Sequence, residues 1–228
     1  MFPWDVSETD TAVSTFSGTF SLQVILHSYA RNICTLAETK SIISDVKTDF
    51  EVAGQTILSY ITALETLYII DDIGAWCPAI RSKSAIRARR KRNLIDPSLV
   101  VAAHGLSPGH FYSDFRSLGF LFESLCIRDL KVYSSANRGS LSYYNDRYGL
   151  EADAVFHLSD SRYALIEFKL GEKGAGNLNR IEALIEQHNA GNSAELKKPD
   201  LKLVITAGQY GCRRPDGVLV IRIGCLRD

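Results

Sequence analysis

Apolar residues recur along the first half of the chain at the three- and four-residue steps that place side chains on one face of a helix. Leu22, Ile25, Leu26 and Tyr29 form one such stripe and Leu36, Ile42, Ile43 and Val46 another, so the chain from Leu22 to about Val46 reads as helices. The stripe is stronger from Gln55 to Ile70, where Ile57, Leu58, Ile61, Leu64, Leu67 and Tyr68 recur. Extended segments follow at Ile69 to Ile73 and near Asn93 to Ile95. Asp96-Pro97 opens a further short helix to about Ala103, because Asp accepts from exposed backbone amides and Pro tolerates the first helical position. Short helices, a longer helix and two extended segments are the order of a winged helix-turn-helix.

Turn formers Gly105, Pro108 and Gly109 mark a domain boundary, and the pattern then changes. Leu118 to Leu130 is helical. Strand-like segments follow at Leu130 to Ser134, Ser140 to Tyr144, Leu150 to Leu158 and Tyr163 to Leu170. A helix occupies about Leu178 to His188, and strands return at Leu201 to Thr206 and Val218 to Ile223. The expected fold is therefore α/β: an N-terminal all-α, winged-helix-like domain over residues 1–106, then a mixed sheet flanked by helices over residues 107–228.

Composition fits this division without refining it. The 228 residues are 46% hydrophobic and 23% charged, the balance of an ordinary globular protein of two modest domains. The five cysteines are scattered with no CxxC pair, which points to reduced thiols rather than a zinc site. The N-terminal Met-Phe-Pro-Trp-Asp lacks a signal-peptide pattern, and no apolar run reaches the roughly 18 residues of a membrane span, so a cytoplasmic protein is expected.

Charge alters the picture more. The 26 basic and 26 acidic residues cancel, yet Arg81 to Arg92 carries Arg81, Lys83, Arg87, Arg89, Arg90, Lys91 and Arg92 with no acid among them. A local basic patch is enough to hold phosphates, and Arg87, Arg89, Arg90, Lys91 and Arg92 are the candidate nucleic-acid contacts; a solvated loop is the alternative.

Two strands carry acids where apolar residues are expected. Asp153 interrupts the Leu150–Leu158 strand, and Glu167 and Lys169 share a face of the next. Burying an unpaired carboxylate costs several kcal/mol or so, so such acids call for a metal, a hydrogen-bonding cluster or a cleft. An odd-length loop after Leu158, or a bulge of the same effect, sets Asp153 on the face of Glu167 and Lys169, whereas an even loop sets them apart. Paired carboxylates favour Mg²⁺ or Mn²⁺, and a neighbouring lysine suits the orientation of an attacking water in phosphodiester hydrolysis. A surface salt-bridge ladder across a hairpin is the competing reading.

Asp153, thirteen intervening residues, then Glu167-Phe168-Lys169 resembles the D-(x)n-E-x-K signature of the PD-(D/E)xK, or restriction-endonuclease-like, superfamily. That resemblance implies an αβββαβ core, metal binding by Asp153 and Glu167 with help from Glu123 on the preceding helix, Lys169 as the base that orients water, and Gln187 as a further polar site residue. Tyr60 to Ile70, Asn93-Leu94-Ile95-Asp96-Pro97, Phe122-Glu123 and Glu151-Ala152-Asp153 together resemble the C-terminal half of prokaryotic AAA-type ATPases carrying "domain of unknown function 4143". Nucleic acid, DNA foremost, and an ATPase domain or another protein are the implied partners. The chain departs from those proteins by lacking the ATPase, and is read as a fragment or a relative without it. Gly171 to Leu178 is the nearest approach to a P-loop, but Asn177 and Leu178 stand where Lys and Ser/Thr are required. The two functions left open are metal-dependent hydrolysis of nucleic acid and a catalytically idle nuclease fold that binds nucleic acid or protein.

Overall fold

The computed structural model describes residues 22–76, 88–146, 149–171, 176–191 and 197–226. Helix α1 covers residues 22–31, followed by α2 (Thr39–Asp49) and α3 (Gly54–Thr66). Their buried residues are those of the apolar stripes: Ile25 and Tyr29, Ile42 and Val46, then Ile57, Ile61 and Leu64.

Tyr68 ends α3. Its N–H donates to the Glu65 carbonyl (3.0 Å) and that of Ile69 to the Leu64 carbonyl (2.9 Å), a pattern that needs a left-handed residue, and Tyr68 has φ +58°. Glycine adopts that conformation without the Cβ clash, and the Tyr68 ring is exposed, so little packing is lost on removing it. Tyr68→Gly is expected to stabilise the chain by about 0.5–1 kcal/mol, read as a higher urea midpoint at unchanged slope.

The two extended segments pair. Ile70 bridges Leu94 and Ile73 bridges Lys91, antiparallel. Helix α4 (Pro97–Ala103) begins as expected, with the Asp96 carboxylate accepting from the Ser98 N–H at 2.8 Å. Asp114 caps α5 (Phe115–Ala136) by accepting from the Ser117 N–H at 3.0 Å. This helix absorbs the expected strand at Leu130 to Ser134. Phe122, Cys126, Leu130 and Ser134 are buried at successive four-residue steps, and no Gly or Pro lies between Phe120 and Asn137-Arg138-Gly139. Arg138 (φ +53°) turns the chain there. Gly139 lets it enter the sheet, since a Cβ at that position would lie 2.8 Å from the His157 carbonyl oxygen.

The sheet is mixed, in the order β1-β2-β3-β4-β6-β5. Its strands are β1 (Gly139–Asn145), β2 (Glu151–Leu158), β3 (Tyr163–Lys169), β4 (Leu201–Thr206), β5 (Cys212–Arg213) and β6 (Leu219–Arg222). β2 is antiparallel to both β1 and β3, β4 is parallel to both β3 and β6, and β5 is antiparallel to β6. Helix α6 (Gly176–Gly191) links β3 to β4. One face of the sheet packs on α5 and the other on α6. The sequence-read strand at Val218 to Ile223 is β6, shorter by two residues; the two-residue β5 has no periodicity to announce it.

Buried side chains form two clusters. The larger runs from Ile25 and Ile57 through Ile127 to Ile166 and Ile205, joining the N-terminal helices to the α5 face of the sheet. The smaller joins Leu178, Ile181 and Ile185 of α6 to Val155, Leu165 and Val204. Among the described residues Cys34, Cys126, Cys212 and Cys225 are free thiols, and no helix is long and apolar enough to cross a membrane.

Candidate functional site

The β2–β3 hairpin closes as the sequence required for shared register. The Leu158 N–H donates to the Arg162 carbonyl (2.8 Å) and the Ser161 N–H to the Leu158 carbonyl (3.1 Å), leaving a three-residue loop whose last member, Ser161, has φ +69°. The ladder pairs Val155 with Leu165 and Ala154 with Ile166. The ladder ends there, next to Asp153 and Glu167.

A bulge intervenes at that step. Ser142 of β1 faces Val155, but Tyr144 faces Ala152, so β2 spends three residues where β1 spends two. The extra residue breaks the alternation: Ala152 belongs to the α6-side cluster and Ala154 to the α5-side cluster. Asp153, lying between them, lines a cavity of about 270 Å³ with Lys91, Phe120, Glu123, Tyr143 and Glu151. Its carboxylate turns toward β3, where Oδ2 accepts from the Phe168 N–H at 2.8 Å.

Glu167 and Lys169 take the other face. Ile166 and Phe168 are part of the α5-side cluster, so the residues alternating with them point toward α6. There the Lys169 ammonium lies 3.4 Å from a Glu167 carboxylate oxygen. The expected trio is thus divided, with Asp153 joined by Glu123 and Glu167 joined by Lys169. Gln187 is exposed on α6, on the opposite face from the cavity. Among the described residues no group of three or more His, Cys, Asp or Glu is placed to hold a metal ion. The acids as arranged do not fit the Mg²⁺ or Mn²⁺ that the E-x-K motif implies.

A lysine occupies the cavity with the acids. Lys91 Nζ donates to Glu123 Oε1 at 2.7 Å and to the backbone carbonyl of Asp153 at 3.1 Å, and lies 5.7 Å from the centre of the Tyr143 ring. Burial pushes the Glu123 carboxyl up to about 7; Lys91 draws it back, and Asp153 and Glu151 add to the rise. Burial works against the Lys91 charge, but Glu123 and Asp153 outweigh it and hold the ammonium above its ordinary range. Cys34 also lines the cavity, with its thiol driven well up by burial, so it is not poised as a thiolate.

The basic run divides as well. Arg87 lies outside the described residues. Arg89 and Arg90 are exposed and pair with Glu38 and, at 3.7 Å, Glu65. Lys91 and Arg92 are turned inward, which removes them from any phosphate-facing surface, contrary to the expectation from charge alone. Arg92 donates to Asp72 Oδ2 (2.7 Å), Tyr29 Oη (2.8 Å), Thr39 Oγ1 (2.7 Å) and the Ala37 carbonyl (2.9 Å). The cavity role of Lys91 escaped the sequence reading because its partners lie far along the chain. The available signal was the pairing of Ile69–Ile73 with the residues before Asp96, which sets Asp72 level with Arg92 and carries Lys91 into the interior.

Comparison with known proteins bears on both halves of the chain. Residues 19–110 match a family described as Domain of unknown function (DUF8612). No curated protein and no solved structure matches the chain. Residues 118–226, which hold nearly all of α5, the whole sheet and α6, match the family described as Domain of unknown function (DUF4143), and it is to that family that the acid-bearing half of the chain is similar.

Proposed function

We propose that this chain is a restriction-endonuclease-like module, preceded by a winged helix, that docks on nucleic acid without cutting it. The observation that carries this reading is the Lys91 ammonium between Glu123 and the Asp153 carbonyl, which sets a fixed cation against the Glu123 carboxylate inside the cavity. Docking falls to Arg89 and Arg90. The Tyr143 hydroxyl donates to the Arg89 carbonyl, which holds this segment against β1 beside the cavity. Their pairs with Glu38 and Glu65 lie at the surface, where water and salt screen them, and so are readily exchanged for phosphate.

Arg89→Glu with Arg90→Glu is expected to weaken binding to duplex DNA by tenfold or more, on the order of the salt-dependent loss that follows removal of a few phosphate contacts. Fluorescence anisotropy of a labelled duplex, repeated across salt concentrations, measures it. Unchanged affinity and an unchanged salt slope would remove the arginines from the account. Metal-dependent hydrolysis is the second reading, favoured by Asp153 and Glu123 lining one cavity and by the Glu167–Lys169 ion pair on the neighbouring strand. DNA cleavage with Mn²⁺ that disappears in Asp153→Asn would establish it and displace the first.

A further inference from the structure

A cavity of about 450 Å³ lies at the junction of the two halves, lined by the end of α1, by α4, by the segment that joins α4 to α5, and by the first turns of α5. Small-molecule sites usually measure about 300–1,000 Å³, and junctions between domains are a common place for them. The inner wall is apolar. Ile33 and Val100 are each 4% exposed, and Leu106, Phe111, Phe120 and Leu121 complete it.

The charged residues of the lining are already engaged. Arg31 Nη2 donates to Asp45 Oδ2 at 2.6 Å, and its side chain is 60% exposed to water. Asp114 accepts from the Ser117 N–H at 3.0 Å through one oxygen and from the Ser117 hydroxyl at 2.6 Å through the other. Burial, with His27 and Arg31 beside it, holds the His104 imidazole below its ordinary range, so that this ring is neutral. What remains is hydrogen-bonding capacity without charge. His110 Nδ1 accepts from the Ser107 N–H at 3.1 Å, which leaves Nε2 as the donor of that ring. A charged guest would lose its water against apolar walls and find no free counter-charge, whereas an uncharged one loses little.

We propose that this cavity is a binding site for a small, uncharged, mainly apolar molecule with a hydrogen-bond acceptor. Ala30, Ile33 and Val100 belong to the cluster that joins the two halves, so a guest seated on them braces α1 and α4 against α5. The site is separate from the acid cavity and from Arg89 and Arg90, and loss of nucleic-acid binding leaves it standing.

Titration of the ¹⁵N-labelled full chain with phenylpropanol tests it. The amide signals of Ile33, Val100, Leu106 and Leu121 are expected to shift together and saturate, with a Kd of about 1 mM or tighter at the usual efficiency of a small ligand. The urea midpoint is expected to rise with phenylpropanol concentration, because only the folded chain holds the guest. Phenylpropanoate and phenylpropylammonium, which carry a negative and a positive end on the same skeleton, are expected to bind about tenfold more weakly or worse. Leu106→Trp, which fills the cavity from the joining segment rather than from a packed helix, is expected to abolish the phenylpropanol shifts. Phenylpropanol that gives no saturable shift, shifts centred on other residues, or a charged analogue that binds as tightly overturns the proposal. If Leu106→Trp fails to fold, the comparison of the three compounds on the parent chain decides by itself.

Discussion

Replacing Arg92 by Met is expected to lower the unfolding free energy by about 3–5 kcal/mol, the cost of leaving a buried partner charge without its mate. The Asp72 side chain is fully buried, and besides the Arg92 bond it has the N–H of Asn93 at 2.9 Å. Met fills much of the space of the arginine stem but supplies no donor, so Asp72, Tyr29 and Thr39 lose a bond together. The companion variant, Arg92→Met with Asp72→Leu, is expected to recover much of the loss, because an apolar pair of similar volume carries no desolvation penalty. Urea denaturation of the two variants and the parent measures both effects. A single variant within about 0.5 kcal/mol of the parent, the range of an ordinary surface substitution, would mean that Arg92 is not the internal strut described above.

Ile166→Ala is expected to cost about 2–5 kcal/mol, the usual range for deleting a fully enclosed aliphatic side chain. Ile166 is 1% exposed, at the centre of β3, inside the cluster that continues through Ile127 of α5 to Ile57 of α3. Since that cluster joins the two halves of the chain, the variant should lower one cooperative transition rather than split it. Far-ultraviolet circular dichroism and the fluorescence of a Trp4→Phe chain, whose one tryptophan is Trp76 packed against Tyr163 at 4.8 Å, are expected to give the same shifted midpoint. Separate midpoints would show that the halves unfold independently.

The helices and central strands were legible because periodicity is local. Ile57, Ile61 and Leu64 declare a helix by their spacing, and the Leu150–Leu158 and Tyr163–Leu170 segments declare strands. The register of the hairpin was legible too, once its loop was taken as odd. Three things were not. The last turns of α5 carry Val132 and Tyr133, residues that favour strands, and only burial of Leu130 and Ser134 against the sheet keeps them helical. The bulge at Asp153 leaves no mark in composition, yet one extra residue places this acid with Glu123 while Glu167 stays on the far face. The inward turn of Lys91 and Arg92 depends on Glu123 and Asp72, whose proximity arises only after the chain has folded.

The outer margin of β1 is not bare. Ala75 bridges Tyr143, the Trp76 N–H donates to the Tyr143 carbonyl at 2.6 Å, and the Tyr143 N–H donates to the Gly74 carbonyl at 3.0 Å. An open margin of this kind is a template on which a second molecule can extend the ribbon, and the short strap Gly74–Trp76 blocks it. A chain cut to begin at residue 107 would lose the strap and would also uncover the apolar side of α5. Such a truncation invites stacking of molecules margin to margin, which makes the first half a guard on the solubility of the second.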